Sequence, residues 1–347
     1  MCGRSLRILF LMALSACMAW QAAAAQTSLK KVTIIIGSPG LINSLHYIAE
    51  GAGFFKDEGL DVETVQVPSG TQQLAAILGG SADAAPTNLE QVIRSYARGS
   101  DMVAMSRIYD IFPYVLVLSN KAIAKSGIKD GMPIDEKVKR LKGLKIGITS
   151  VGSGTDSFIR SLLLARGMSP DKEITVQPMG SADGMLTALQ KGLIDGFSFI
   201  PPYSEIPAQQ GYGKVVIDPI TGEVPELKDV PYMVVATSRR HLQSAPKTML
   251  AITRAYTRAI KLLQDDPDRA RQLVRKYLRA ADDKTFNAVF QKYIAALPAN
   301  PVITRSQVQN MVNWMNFSKA QKPLKIEYGD VTDSVFATQA AKAILHK

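Results

Sequence analysis

Apolar and polar positions along the chain fall into short blocks that repeat one order. Val32-Thr33-Ile34-Ile35-Ile36 is a brief β-branched run ended by Gly37, which predicts a buried strand. Ser38-Pro39-Gly40 stops it, and Ser44 opens a helical pattern through Glu50. After a turn at Gly59, Val62–Val67 reads as a strand. Pro68-Ser69-Gly70 leads into a helix over Thr71–Leu78, and Gly79-Gly80 precedes a short strand, Ala82–Pro86. The same order returns with the strand Lys145–Thr149, the turn Gly152-Ser153-Gly154 and the helix Thr155–Ala165. The strand Ile174–Gln177, the helix Ala182–Gln190 and the strand Asp195–Ile200 complete it. The tightest match between the copies sets Gly80-Ser81-Ala82-Asp83 against Gly192-Leu193-Ile194-Asp195: a helix stop, then an acid entering a strand.

Serial strand–turn–helix units predict parallel sheets with crossover helices, hence an α/β fold. Two units about 110 residues apart predict two similar lobes; a tandem of unrelated α/β domains is the other arrangement. The apolar segments Tyr114–Leu118 and Tyr232–Ala236 flank the second copy and are the natural crossings. Lobe one is then discontinuous, residues 27–115 and 231–347, and lobe two spans 116–230. The C-terminal tail reads as helical. Asp266 caps, Pro267 takes the first helical position, and Ala270, Leu273, Val274 and Tyr277 follow at core-facing spacing.

The first 25 residues change the picture. Arg4 and Arg7 form a positive start, Leu6–Ala16 is almost wholly apolar and too short to span a membrane, and Ala23-Ala24-Ala25 fits a cleavage site before Gln26. This predicts a signal peptide over residues 1–25 and release into the periplasm. Leu14-Ser15-Ala16-Cys17 offers the other reading, a lipoprotein anchored at Cys17. Both cysteines, Cys2 and Cys17, lie in this segment. The mature chain therefore has no disulfide, thiolate nucleophile or cysteine-held metal, and its stability must come from a large core. The formal charge of +11, from 41 basic and 30 acidic residues, is spread along helices. Its densest run, Lys137–Lys145, has no interleaved aromatics for base stacking; nucleic acid is not an expected partner.

Four pieces, in order, resemble one family. They are Ala49-Glu50-Gly51-Ala52-Gly53-Phe54-Phe55-Lys56-Asp57-Glu58-Gly59-Leu60, then Leu141–Gly147 with Gly152-Ser153-Gly154-Thr155-Asp156. Ala188-Leu189-Gln190-Lys191-Gly192-Leu193-Ile194-Asp195 and Asp265-Asp266-Pro267-Asp268-Arg269-Ala270 follow. They resemble the NMT1/THI5-like branch of periplasmic solute-binding proteins, which includes sulfonate, taurine and nitrate receptors of ABC importers. The resemblance implies a type II periplasmic binding protein fold, two α/β lobes with a ligand cleft between them. It further implies a monomer that captures a small polar, anionic organic solute by lobe closure and delivers it to an ABC permease and its ATPase, without a cofactor. A pyrimidine-precursor enzyme of the THI5 type and a ligand-sensing receptor for a signalling protein are the alternatives. The enzymes carry a cysteine-rich motif, which the mature chain lacks, so no catalytic residue is expected.

In doubly wound sheets ligands sit beyond the carboxyl ends of the strands, where helix N-termini offer free N–H groups. The candidates are Ser38 and Asn43, Gly70 and Thr71, Ser153, Gly154 and Thr155, and Gly180 with Ser181. Helix capping selects the same residue types. Asn88 offers an amide, and Tyr109, Pro202 and Tyr203 lie in loops where a ring would cover a ligand or fill the core. His46 is either a structural helix-face histidine or a hydrogen-bond donor to the ligand. The histidines His46, His241 and His346 are too dispersed to hold a metal. Asp156 would favour a helix start, or, inside the cleft, repel an anion.

Overall fold

The computed structural model describes residues 29–110, 112–228, 230–294, 297–317 and 323–345. The predicted signal segment, Cys17, Gln26 and His346 lie outside them. Ten strands are present among these residues: β1 (Lys30–Ile36), β2 (Leu60–Gln66), β3 (Ala85–Asn88), β4 (Met102–Tyr109), β5 (Val115–Ser119), β6 (Lys145–Ile148), β7 (Thr175–Pro178), β8 (Gly196–Phe199), β9 (Gly213–Ile217) and β10 (Met233–Ser238). The longer helices are α1 (Ser44–Gly51), α2 (Gly70–Leu78), α3 (Leu89–Tyr96), α4 (Gly154–Leu164), α5 (Ala182–Gln190), α6 (Pro246–Asp265), α7 (Pro267–Arg275), α8 (Asp283–Ile294), α9 (Arg305–Phe317) and α10 (Val335–Ile344).

The internal repeat becomes a repeat of strand order. One sheet runs β7-β6-β8-β5-β9, with β5 antiparallel to both neighbours. In the other half β1 pairs with β2 in parallel, and β10 lies antiparallel between β3 and β4. A parallel bridge, Ile34 to Ala84, links these two groups beside β3, so the spatial order β2-β1-β3-β10-β4 matches that of the first sheet. The Gly-x-x-Asp match between the copies has a physical cause. Gly80 and Gly192 both end a helix at positive φ, 75° and 70°, where a side chain is disfavoured. The acid that follows then clasps the neighbouring strand. Asp83 accepts the Thr33 N–H at 2.7 Å and Asp195 the Lys145 N–H at 2.8 Å, while their own N–H groups bond the same residues' carbonyls.

The chain passes from one sheet to the other twice, between β4 and β5 and between β9 and β10. The apolar segments read as crossings are therefore central strands, β5 and β10, entered directly after each crossing. β4 carries too little β-branched patterning to be read from sequence, whereas β9, with Val215-Val216-Ile217, was passed over. Arg107 interrupts β4 because its guanidinium reaches out to the Asn300 carbonyl at 2.8 Å and to Asp110 at 3.2 Å.

The C-terminal helices pack on the β1–β4 half. Asp266 caps α7 by accepting the Arg269 N–H at 3.0 Å, with Pro267 at the first position. Ala270, Leu273 and Val274 are buried, and Tyr277 stacks on Tyr47 at 4.5 Å between ring centroids. Around the crossings Phe112 touches Tyr114, Phe158, Tyr232 and Trp314. This aromatic cluster draws on both halves. Burying each such ring contributes roughly 1.5–3 kcal/mol.

Candidate functional site

The strand ends of both sheets meet at one place. β1 runs out into Gly37-Ser38, β3 ends at Asn88, β6 leads to Thr149, and β8 leads to Ile200. These residues, with Ile42, Ser69, Gly70, Gln73, Tyr114, Ser153, Gly154, Thr155, Phe199 and Met233, enclose a cavity of about 30 Å³, room for one or two waters. Two helices open into it. α2 begins at Gly70 behind Ser69, whose side chain makes no cap hydrogen bond, and α4 begins at Gly154 behind Ser153. First-turn N–H groups have no intrahelical acceptor and carry partial positive charge.

No lining residue of this cavity carries a charged side chain. Its polarity comes from backbone and from neutral groups. Gln73 is spent on structure: its amide donates to the Ile35 carbonyl at 3.2 Å and to the Pro86 carbonyl at 2.5 Å, tying the ends of β1 and β3. Thr149, Ser153 and Thr155 form a knot. The Thr149 N–H donates to Thr155 Oγ1 at 2.9 Å, the Thr149 hydroxyl to Ser153 Oγ at 2.9 Å, and Ser153 Oγ lies 2.8 Å from Thr155 Oγ1. Burial pushes the Tyr114 hydroxyl up to about 12, against the pull of hydrogen bonding to Tyr232 and Asn88. Tyr232 is driven well above the ordinary tyrosine value by burial, reinforced by Tyr114 and Glu90. Both are neutral hydroxyls at any ordinary pH. Tyr232 is 0% exposed, and its hydroxyl, with the Tyr114 hydroxyl beside it, makes no hydrogen bond of ordinary geometry among the described residues. It faces Gly154 so closely that a Cβ there would lie 2.1 Å from Tyr232 Oη and 2.5 Å from Tyr114 Cε2.

The two halves are in contact around this cavity. The Leu41 N–H donates to the Pro201 carbonyl at 3.0 Å, and Gly40 packs where a Cβ would meet Ile200 Cδ1 at 2.2 Å. Gln209 donates to Asp282 at 2.7 Å. Thr71 Oγ1 and Ser150 Oγ stand 3.4 Å apart across the gap.

Of the residues singled out from sequence, Ser38, Gly70, Asn88, Ser153, Gly154 and Thr155 line the cavity. Thr71 faces a neighbouring groove instead. Asn43 lies behind, donating to the Ser38 carbonyl at 2.9 Å. His46 is buried within the β1–β4 half, its ring nitrogens 2.8 Å from Tyr256 Oη and 3.0 Å from Thr64 Oγ1. Tyr109 is the buried end of β4. Gly180 sits in a positive-φ turn, and Ser181 caps α5 by accepting the Gly184 N–H at 3.2 Å. Pro202 follows a cis peptide bond, and Tyr203 sets its ring edge-on to Phe199. Asp156 neither faces the cavity nor stands alone: it accepts from the Gly152 N–H at 2.8 Å and pairs with Arg160 at 2.6 Å. Sequence reasoning passed over Ser69, Thr149, Tyr114 and Tyr232. Ser69 adjoins Gly70 and Thr149 opens the turn that leads to Ser153, so both could have been found by taking whole turns. The tyrosines were read only as strand residues.

Residues 29–278 match the model of the NMT1-like family. The chain is 25% identical over 300 residues, 84% of its length and 83% of the relative's, to a protein of Bacillus subtilis (strain 168) named as a candidate aliphatic sulfonates-binding protein. Among solved structures, a protein of Bordetella bronchiseptica RB50 superimposes with a TM-score of 0.77 at 24% identity, over 91% of this chain and 98% of that one. The ligand-binding component of an ABC-type import system from Staphylococcus aureus does so with 0.68 at 16%, over 90% and 99%. A Candida albicans protein described as having the generic periplasmic binding protein structural fold superimposes with 0.66 at 15%, over 91% and 96%, and the present chain shares that α/β fold. By its sequence match over most of its length, the chain belongs to the NMT1-like family.

Proposed function

We propose that this chain is the periplasmic solute-binding component of an ABC importer. In this reading lobe one comprises residues 27–115 and 231–347 and lobe two residues 116–230. The protein is a monomer, released by cleavage before Gln26, that closes on a small polar, anionic organic solute and presents it to a permease with its ATPase. It is a receptor and not an enzyme. The names of the relatives, a sulfonates-binding protein and an importer's ligand-binding component, support the class of role.

One observation carries the ligand reading. A wholly buried tyrosine hydroxyl, Tyr232 Oη, has only the Tyr114 hydroxyl beside it, makes no hydrogen bond of ordinary geometry, and stands against Gly154, where α4 opens into the cavity between the lobes. A buried donor left unmade is costly, and a ligand oxygen at the helix start would satisfy it together with the Gly154 and Thr155 N–H groups. Ser38, Gly70 and Asn88 would meet the same group from lobe one. The uncharged lining suits an anion held by oriented dipoles rather than by an ion pair.

The test is Tyr232→Phe on the mature protein, with small sulfonates and carboxylates as probes. The variant should melt no lower than the parent without ligand and bind more weakly, by about 1.5–3 kcal/mol for a charged acceptor. A bound probe at 100 times its Kd should raise stability by about 2.7 kcal/mol. If no sulfonate or carboxylate shifts the melt of the parent protein, the anionic-ligand reading fails.

A further inference from the structure

The cavity at the strand ends is too small for a whole organic molecule: about 30 Å³ accommodates a headgroup and little more. A second space lies beside it. Between α2 and α3 of one half and α4 of the other is a chamber of about 640 Å³, the size of a small-molecule site. The two spaces share their walls. Gly70 borders the inner cavity and Thr71 the chamber; Ser153 borders the cavity and Gly152 the chamber. The partition is thin. It consists of the Gln91 side chain, packed where a Cβ on Gly70 would meet its Nε2 at 2.7 Å, and the 3.4 Å approach of Thr71 to Ser150.

The chamber differs from the cavity in chemistry. Leu74, Val151, Leu164 and Pro170 give it apolar walls, and Arg94, Arg98 and Arg160, with the acids Asp156 and Asp171, give it charge. Two of these arginines are already matched. Arg94 pairs with Glu90 at 2.7 Å, and Arg160 with Asp156 at 2.6 Å and Asp171 at 2.7 Å. Arg98 makes no ion pair among the described residues and is exposed, so its charge is the one left to a ligand.

Resting on the reading of the cleft as an anion site, we infer that the ligand is an elongated molecule with two anionic ends. Its headgroup occupies the inner cavity, a short aliphatic spacer takes the place of the Thr71–Ser150 hydroxyl contact, which parts to admit it, and a terminal carboxylate or similar anion faces Arg98 in the chamber.

Calorimetry of the mature protein with methanesulfonate, 1-butanesulfonate and 4-sulfobutanoate separates head, spacer and tail. Burying the spacer should tighten butanesulfonate at least about tenfold over methanesulfonate. The terminal carboxylate should add roughly two- to fivefold, fading with added salt. Arg98→Glu, at an exposed and unpaired position, should erase or invert the advantage of 4-sulfobutanoate over butanesulfonate, and Val151→Glu should do the same from the opposite wall. If methanesulfonate binds but the three probes bind alike, or if 4-sulfobutanoate keeps its advantage in both variants, the two-ended ligand is refuted while the anion site stands. If none of the three binds, the anion site falls and this inference with it.

Discussion

Gly154→Ala tests lobe closure with a single methyl group. The added Cβ would lie 2.1 Å from Tyr232 Oη, and 2.5 and 2.6 Å from Tyr114 Cε2 and Oη, more than an ångström inside ordinary contact for the first. Neither ring is free to yield. They pack edge to face at 5.4 Å, Phe112 backs both of them, and the Tyr232 backbone is bonded to Tyr109 and Leu89. Tyr232 is thus fastened to the β1–β4 half while Gly154 starts a helix of the other. The Tyr232 part of the clash therefore falls on the closed arrangement, and parting the halves relieves it; the Tyr114 part, next to β5 in the same half as Gly154, stays. Overpacking of this kind costs about 1–3 kcal/mol, and the share charged against closure weakens ligand binding by up to roughly 150-fold. Small-angle scattering of the ligand-bound protein should show a larger radius than the parent's, with a smaller loss in the melting temperature without ligand. Unchanged affinity, or a lower melting temperature with intact affinity, would refute the assignment of this contact to closure. A bulkier Gly154→Val would add nothing to the argument, since the first methyl already collides.

Thr155→Ala should cost stability as well as affinity, because it strips the acceptor from the buried Thr149 N–H; a loss of about 1–3 kcal/mol in a denaturant melt is expected. Glu205 is held above the ordinary carboxylate range by burial, with Lys292 opposing and Asp218 reinforcing. A raised carboxyl disfavours the charged form in the folded state, so its contribution to stability falls as pH rises from the unfolded value through the folded one. Glu205→Gln should therefore melt a few degrees higher at neutral pH, with the difference closing below the ordinary carboxylate range. Intact-mass analysis of the secreted protein should give a chain beginning near Gln26; a diacylglyceryl group on Cys17 would replace release by anchoring.

The alternation of strands and helices was legible because β-branched runs such as Val32–Ile36 and glycine stops such as Gly80 and Gly192 act locally. The turns at Gly70 and Gly154 were legible for the same reason: a helix start needs a cap and room. β4 and the role of Tyr232 were not. Met102–Tyr109 holds its place by pairing with β10, more than a hundred residues away, and tertiary pairing overrides weak local preference. Tyr232 matters only because a helix from the other half ends against it. Asp156 shows the converse: its residue type at a helix start left a place in the cleft open, but its carboxylate is engaged by Gly152 and Arg160.

The placing of β10 also bears on how such a chain is made. The sheet β7-β6-β8-β5-β9 is complete once residue 217 has emerged, from one continuous stretch. The other sheet has a gap between β3 and β4 until β10, residues 233–238, arrives to fill it, and its covering helices come later still. A chain delivered from its N-terminus therefore finishes its second half first. Its earliest segment stays an open sheet until the last third is available, so the half that begins the chain is the last to close.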